Sequence, residues 1–425
     1  MAPKRISLIR AIDDSIINGP VPLQPFVPKS ANIFPKMVSL ISNTAWELWE
    51  FEAFSADGST ALGVSLYRDA RGIDKGGFHA EVNALWPDGR KWGETLYFHE
   101  SMITDENDED SGTEGGCVQG VWRTLEEDRD PAAQASLSAG SITFTTAADL
   151  SSVSVCFLVP SLVTGTLELR CLGGDHRCYR PADPDAALLY PSVYYMFPMG
   201  PLVSDADLVF HISDSDEGRR RLIVKSQDGA RGGMVRGWST KAWPDFMNDA
   251  YYTVANVGPY SLQLLRVVGS AAAEHKSYVS ARLYRGDDLA CAANGICDDK
   301  HQTADPPDVS TTQGVLITLD RVIQQTQDET TVEKVFPRMG QDESGIAGAF
   351  CDRNIGYVIE FVSWKQQKRW RFDVRHKRAW WSEPTSAPGP QATGKSGWIE
   401  RIVGGSADEV FEGTGVGGQL QIPVP

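Results

Sequence analysis

Carboxylates, a phenol and an amide recur at alternate positions along three consecutive apolar stretches. In Trp46-Glu-Leu-Trp-Glu-Phe-Glu-Ala-Phe54 the even positions carry Trp46, Leu48, Glu50, Glu52 and Phe54, so one face mixes carboxylates with large apolar groups. The next stretch sets Ser65 and Tyr67 against Val64 and Leu66, and the third sets His79, Glu81, Asn83 and Leu85 against Phe78, Ala80 and Val82. Polar groups on alternate strand positions ordinarily point to water, and pattern alone favours that reading. In a barrel with a ligand cavity the same alternation lines the lumen with Glu50, Tyr67 and Asn83.

The second half clusters aromatic residues around single polar groups. Gly232-Gly-Met-Val-Arg-Gly-Trp238-Ser-Thr-Lys-Ala-Trp243-Pro is followed by Tyr251-Tyr252 and Val257-Gly-Pro-Tyr260, and later by Trp380-Trp381 and Thr393-Gly-Lys395-Ser-Gly-Trp398. Ring faces for dispersion with one or two donors for a carbonyl suit a long unsaturated ligand. A Trp-rich core with Lys395 snorkelling to water fits the same residues. Other chemistry finds little support. No Gly-x-Ser-x-Gly elbow occurs and the seven His are scattered singly, which removes the usual hydrolytic triad. Gly404-Gly405 and Gly413-Thr-Gly-Val-Gly-Gly418 follow no βα pattern, so they read as closing turns or bulges rather than a nucleotide cradle. Cys171 and Cys178 bracket His176, but without zinc-knuckle spacing they read as loop cysteines. No metal site and no cofactor are expected.

The elements that must position these residues are strands. Period-two alternation bounded by Gly, Asp, Asn and Pro runs through nearly the whole chain, and a sustained helical period is absent. Strands are predicted at 46–54, 61–68, 78–86, 92–99, 116–124, 141–146, 152–159 and 165–172, about eight, the number that closes a small up-and-down barrel. A second series of about eight is predicted at 208–212, 221–226, 251–257, 261–268, 278–284, 356–364, 370–375 and 397–403. The expected organisation is an extended segment at 1–40, an N-terminal barrel with its linker at 41–200, and a C-terminal barrel at 201–425. The Pro-rich stretch from Pro181 to Pro201 marks the crossing. The acidic run Asp105 to Asp110 and the polar segment Asp298 to Thr312 read as solvated loops.

Composition narrows the partners. Lys and Arg number 40 against 56 Asp and Glu, and the net charge of −16 disfavours nucleic-acid phosphates and anionic headgroups. No window approaches the ~18 apolar residues of a membrane span, and the N-terminus lacks an unbroken apolar h-region. A soluble cytoplasmic protein is expected, with mostly reduced thiols because seven cysteines is an odd number. Cys171/Cys178 and Cys291/Cys297 stay open as pairs in an oxidising compartment.

The strand Trp46 to Phe54, the segment from Gly232 to Tyr260 ending in Val-Gly-Pro-Tyr, and the closing Gly-Lys-Ser-Gly-Trp-Ile-Glu-Arg-Ile-Val-Gly-Gly with Phe411-Glu-Gly-Thr-Gly-Val-Gly-Gly-Gln419 resemble the fungal lipocalin-like Diels–Alderases. That family is distantly related to carotenoid hydratases of the hydroxyneurosporene synthase type. The resemblance runs in order over roughly residues 40 to 420. It implies all-β architecture with two lipocalin-like antiparallel barrels in tandem, a pocket between or within them, and a cofactor-independent [4+2] cycloaddition on a polyene polyketide or polyketide–amino acid hybrid. An intermolecular hetero-Diels–Alder reaction, a hydratase or isomerase, and a non-catalytic lipophile carrier are the alternatives. For that cycloaddition Lys395, Glu50 and Asn83 are the expected catalytic residues, Lys395 as donor to a carbonyl, Asn83 with Tyr67 assisting, and Glu50 either holding Lys395 or binding a substrate N–H. Tyr67, Trp243, Tyr252 and Trp381 are substrate-binding. The resemblance reverses the solvent-facing reading of Glu50, Tyr67 and Asn83. A pericyclic step needs no nucleophile, so the missing triad accords with it.

Overall fold

The structure is a computed structural model describing residues 5–11, 15–106, 117–124, 138–172, 181, 183–212, 218–297, 315–321, 356–363, 366–386 and 393–422. Among these residues regular structure consists of antiparallel strands, one short parallel pair at Ile16–Ile17 and Ile41–Ser42, and short 3-10 turns. The all-β, tandem-barrel expectation is met.

The first sheet has 15 strands. From Trp46–Phe54 it runs one way through Ala61–Asp69, Phe78–Leu85 and Lys91–Phe98, and the other way through Arg231–Ser239 and Leu202–His211 to Val163–Cys171. Its core is filled by the apolar phase of each alternation: Trp49 and Phe51 from one strand, Val64 and Leu66 from the next, Ala80 and Val82 from the third. Trp49 packs edge-on against Trp122 at 5.4 Å and both are fully buried, each such ring contributing on the order of 1.5–3 kcal/mol of transfer free energy. Their indole N–H groups donate to the Ile33 and Tyr67 carbonyls, so neither buried donor is lost.

The second sheet has nine strands and curls into a nearly closed barrel. Met247–Val257, Tyr260–Gly269 and Ser277–Arg285 form a meander, and the last strand, Glu409–Gln421, inserts between Met247–Val257 and Gly394–Ser406. Tyr251, Leu262, Phe361 and Phe372 fill its interior.

Five expectations are corrected. The boundary at 200 does not separate the sheets, because the strands Leu202–His211, Arg219–Val224 and Arg231–Ser239 hydrogen-bond into the first one. Trp46–Phe54 has two edges to satisfy, and Arg231–Ser239 is the strand that pairs with its second edge across nine residues. The Pro-rich stretch forms a small hairpin, Leu188–Tyr190 with Val193–Met196, laid on that same strand. Within the first forty residues, Arg5–Arg10 is not a wrapping coil but an edge strand on Glu100–Glu106, which takes Asp105 and Glu106 out of the expected loop. Gly404, Gly405 and Gly413 to Gly418 lie inside the last two strands rather than in closing turns. At Gly413 and Gly404 a Cβ would sit 2.0 and 2.1 Å from a neighbouring carbonyl oxygen, so close backbone approach explains the glycines. The Asp298 to Thr312 segment, His176 and Cys178 lie outside the described residues.

Candidate active site

Where the two sheets face each other they enclose a cavity of about 490 Å³. One wall is the polar phase of the three strands read from the sequence. Glu50 and Glu52, Ser65 and Tyr67, and Glu81 and Asn83 all line it, while the residues alternating with them, Trp49 and Phe51, Val64 and Leu66, and Ala80 and Val82, fill the first core. These side chains therefore lie on the outer face of the first sheet, not in its lumen, and the second sheet covers that face. The opposite wall is Met247–Val257 with the last three strands, contributing Tyr252, Trp380, Trp381, Lys395 and Leu420. Trp243 closes one side from the 3-10 turn Trp243–Asp245, stacked on Trp46 at 4.3 Å and 15°. All seven residues singled out by sequence thus border one cavity.

Consecutive strand residues normally face opposite ways, yet Trp380 and Trp381 both line the cavity. The register of Lys368–Pro384 on Gly394–Ser406 shifts between Ala379 and Trp381, so Trp380 is the extra residue of a bulge. The bulge re-aims both indoles into the same space, and Gly63 opposite leaves room, its missing Cβ lying 3.1 Å from the Trp380 ring.

Lys395 Nζ donates to Glu81 at 3.1 Å and lies 2.9 Å from Glu383, with the Trp381 ring 5.8 Å away. Glu50 is not the carboxylate that orients it. The register explains the correction: Glu50 is opposite Ser65, and Ser65 is opposite Glu81, so the third strand of the wall rather than the first carries the partner. The Tyr252 hydroxyl donates to Glu52 at 2.6 Å. Burial, then repulsion from Glu50, pushes the Glu52 carboxyl well above the ordinary carboxylate range. Burial and the neighbouring Glu52 likewise push the Tyr252 phenol upward. Tyr67 is stacked on His79 at 4.3 Å and capped by the Arg71 guanidinium at 4.6 Å, which leaves its ring little freedom. Burial alone would raise Asp69, but Arg71 at 2.7 Å and His79 at 3.3 Å hold it below its usual value. The Asn83 side chain is buried and its Oδ1 has no hydrogen-bond partner among the described residues.

Sequence reasoning passed over Glu52, Glu81, Trp380 and Gln419, which also line the cavity. Glu52 and Glu81 were legible, since they share the alternation phase of Glu50 and Asn83. Trp380 was not, because a bulge leaves no mark in a period-two pattern. Arg236 and Trp238, from the tract read as an aromatic wall, sit elsewhere. Arg236 is fully buried, bonded to Glu47 and the carbonyls of Asn32, Leu48 and Gly237, and it fixes the segment before Trp46 to the first sheet.

Comparison with known proteins places this geometry. The profile of the Diels-Alderase-like family matches residues 1–423. The chain is 58% identical to Diels-Alderase gNR600 of Fungal sp. (strain NRRL 50135) over the full length of both. It is 46% identical to Diels-Alderase phm7 of Pyrenochaetopsis sp, covering 100% of this chain and 99% of that protein. The crystal structure of CghA superposes with a TM-score of 0.81 at 32% identity over 99% of each chain, and that of CghA with Sch210972 gives 0.80 at 31%. No helix among the described residues is long and apolar enough to cross a membrane. The chain belongs to the Diels-Alderase-like family, enzymes of cycloaddition.

Proposed function

We propose that the protein catalyses a stereoselective [4+2] cycloaddition on a lipophilic polyene of polyketide or polyketide–amino acid origin, and that the cavity between the sheets is where it happens. The observation that carries the reading is that cavity: about 490 Å³, walled by Trp243, Tyr252, Trp380 and Trp381, with polar groups on the facing sheet and Lys395 among the rings. The volume and lining suit one drug-sized apolar ligand oriented by a small number of hydrogen bonds.

The barrier to such a reaction is largely the ordering of a flexible chain until diene and dienophile termini approach at about 3–3.5 Å. Rigid ring faces supply that order in advance. A hydrogen bond to a carbonyl conjugated with the dienophile withdraws electron density and speeds bond formation. Lys395 is the proposed donor. Its Nζ donates to Glu81 and is ion-paired with Glu383, which holds the ammonium at the wall with N–H capacity left for the substrate. A preorganised donor of this kind contributes about 2.7–4 kcal/mol in comparable oxyanion sites. Asn83 Oδ1 is proposed to accept from a substrate N–H or O–H, and the raised Glu52 carboxyl keeps a proton with which to donate. Tyr67 and Glu50 form the remaining polar floor.

Incubating the linear polyene with and without the protein tests the reading. A cycloaddition gives an isomer of unchanged mass, enriched in one diastereomer, with no label incorporated from H2-18O. A mass gain of water indicates a hydratase, and an unaltered product profile indicates a carrier.

A further inference from the structure

A second cavity, of about 360 Å³, lies at one end of the first sheet and shares no lining residue with the cavity between the sheets. Register sets Arg5 opposite Asp105 and Asp105 opposite Val118, and residues of the segment 24–36 line the rest. Lys36 is among them, buried at 3% exposure and unused by the proposed reaction. Its Nζ donates to the Pro25 carbonyl at 2.8 Å and to Asn32 Oδ1 at 2.7 Å. Among the described residues no carboxylate lies within ion-pair distance of this nitrogen. The nearby Glu47 accepts instead from the backbone N–H groups of Lys36 and Met37 and pairs with Arg236.

The count of acceptors decides which form of the side chain suits this place. An ammonium carries three N–H bonds, whereas an amine carries two and a lone pair. Two acceptors satisfy the amine completely and leave a buried ammonium with a spare N–H and no counter-ion. The Trp238 ring, 5.3 Å from Nζ, already serves the Arg236 guanidinium at 5.0 Å, so a second positive charge there meets repulsion. Burial, then repulsion from Arg236, lowers the Lys36 amine to about 7, with Arg5 adding to the fall and Glu47 opposing it. Asp105, which also lines the cavity, is raised by burial and so supplies less negative charge. A neutral amine among cations is the setting that favours a carbamate: the uncharged form reacts, and the same positive surroundings that disfavour the ammonium favour the anionic product.

We propose that Lys36 is a carbamylation site, at which dissolved carbon dioxide adds to the side-chain amine in the second cavity. The nitrogen lone pair bonds to the carbon of CO2, one C=O electron pair moves onto oxygen, and the nitrogen releases one proton to solvent. The product is R–NH–COO⁻, with nothing oxidised or reduced. The nitrogen keeps one N–H for Asn32 Oδ1, and Pro25 is exposed, so water can replace the bond its carbonyl gives up. The inference concerns this cavity alone and stands or falls apart from the cycloaddition.

Trapping with triethyloxonium, which converts a carbamate to a stable ethyl carbamate, tests this on the full chain equilibrated with carbon dioxide at pH 7.5. A lysine of ordinary pKa, about 10.4, is about 0.1% amine at that pH, whereas Lys36 is mostly amine, an advantage of roughly 500-fold. Peptide mass spectrometry should find the modification on Lys36 ahead of every exposed lysine. Lys36→Met should abolish that peptide's mass gain and leave the others. Ethyl carbamate on exposed lysines with Lys36 unmodified overturns the inference. Carbon-13 NMR of the unmutated chain under labelled carbon dioxide decides even where Lys36→Met fails to fold. At constant dissolved CO2 and low conversion, the carbamate signal should rise about tenfold per pH unit above pH 7 and about 100-fold per unit below it, because below pH 7 the amine must also be deprotonated. No signal, or the 100-fold slope of an ordinary lysine persisting from pH 7 to pH 9, also overturns it.

Discussion

Replacing Lys395 with Met separates catalysis from charge balance. The Nζ sits 3.1 Å from Glu81 and 2.9 Å from Glu383, and the three side chains are 17%, 10% and 37% exposed. At an effective dielectric of about 20 the Coulomb attraction at these distances is on the order of 5 kcal/mol per pair. Desolvation of the ions and solvent screening of the half-open Glu383 offset most of it, so the net loss of stability is about 1–2 kcal/mol. That loss is the penalty of stranding Glu81 rather than the loss of a bond, and Glu81→Gln in the same chain should recover it. Thermal melts should show the single variant several degrees lower and the double variant close to the wild type. Product formation should behave differently. If Lys395 donates to the activating carbonyl, both variants lose about 100- to 1,000-fold in rate, as removal of one aimed donor does elsewhere. Chromatography of the cyclised product gives rate and diastereomer ratio together. A Lys395→Met chain with wild-type rate and ratio removes the residue from the mechanism. A double variant that recovers its rate along with its stability reduces Lys395 to a counter-ion.

Trp381→Ala should weaken binding of a polyene analogue about tenfold in a fluorescence titration, by loss of a large ring face; unaltered affinity means that wall is misassigned. Arg236→Met strands Glu47, which is fully buried, and should cost about 3–5 kcal/mol in denaturant unfolding. Adding Glu47→Gln should restore part of it, and a single variant of wild-type stability refutes the strap role. Glu52 gives a pH signature. Its folded pKa lies above the ordinary 4.5, so its stabilising contribution is complete below 4.5 and is lost as pH rises through the raised folded value. Glu52→Gln should flatten that fall, narrowing the difference between melting temperatures at pH 5 and pH 8. Parallel curves for the two chains contradict the raised carboxyl.

Strand existence was legible because the alternation of Trp46–Phe54, Ala61–Asp69 and Phe78–Leu85 is strict and their turns carry Asp-Gly or Gly. Partnership was not. Nothing in the spacing of Arg231–Ser239 says that it pairs with Trp46–Phe54, about 180 residues earlier, because register between distant strands is settled by packing and edge closure. Arg231–Ser239 also escaped detection as a strand, since all eight residues from Gly232 to Ser239 are buried, covered on both faces with no alternation. Lys395 and Glu50 were both placed at the cavity but wrongly joined. Face assignment follows from period two within one strand, whereas which carboxylate reaches an amine depends on the stacking of strands side by side.

The same reasoning explains why the polar face misled in both directions. Alternation says only that Glu50, Tyr67 and Asn83 point away from the core containing Trp49 and Phe51. For a lone sheet that direction is water, and for a ligand-binding barrel the polar phase is the lumen. Here it is neither, because a second barrel covers the outer face and converts it into an enclosed wall. Burial then changes the chemistry of residues selected by the pattern. Among the described residues, Glu50, Glu52, Asp69, Glu81 and Glu383 border the cavity against Arg71 and Lys395 as cations there. Burial and the neighbouring Glu50 drive the Glu52 carboxyl toward its protonated form, whereas Asp69, buried as deeply, is held below its usual value by Arg71 and His79. The remaining excess of negative charge disfavours an anionic ligand. A free polyenoic acid would enter against that field, whereas a neutral polyene carrying an N–H and a conjugated carbonyl would find acceptors in Asn83 and Glu50 and donors in Lys395 and protonated Glu52. On the proposed function, the electrostatics of the covered face favour a neutral, hydrogen-bonding polyene, and the aromatic wall opposite sets its shape.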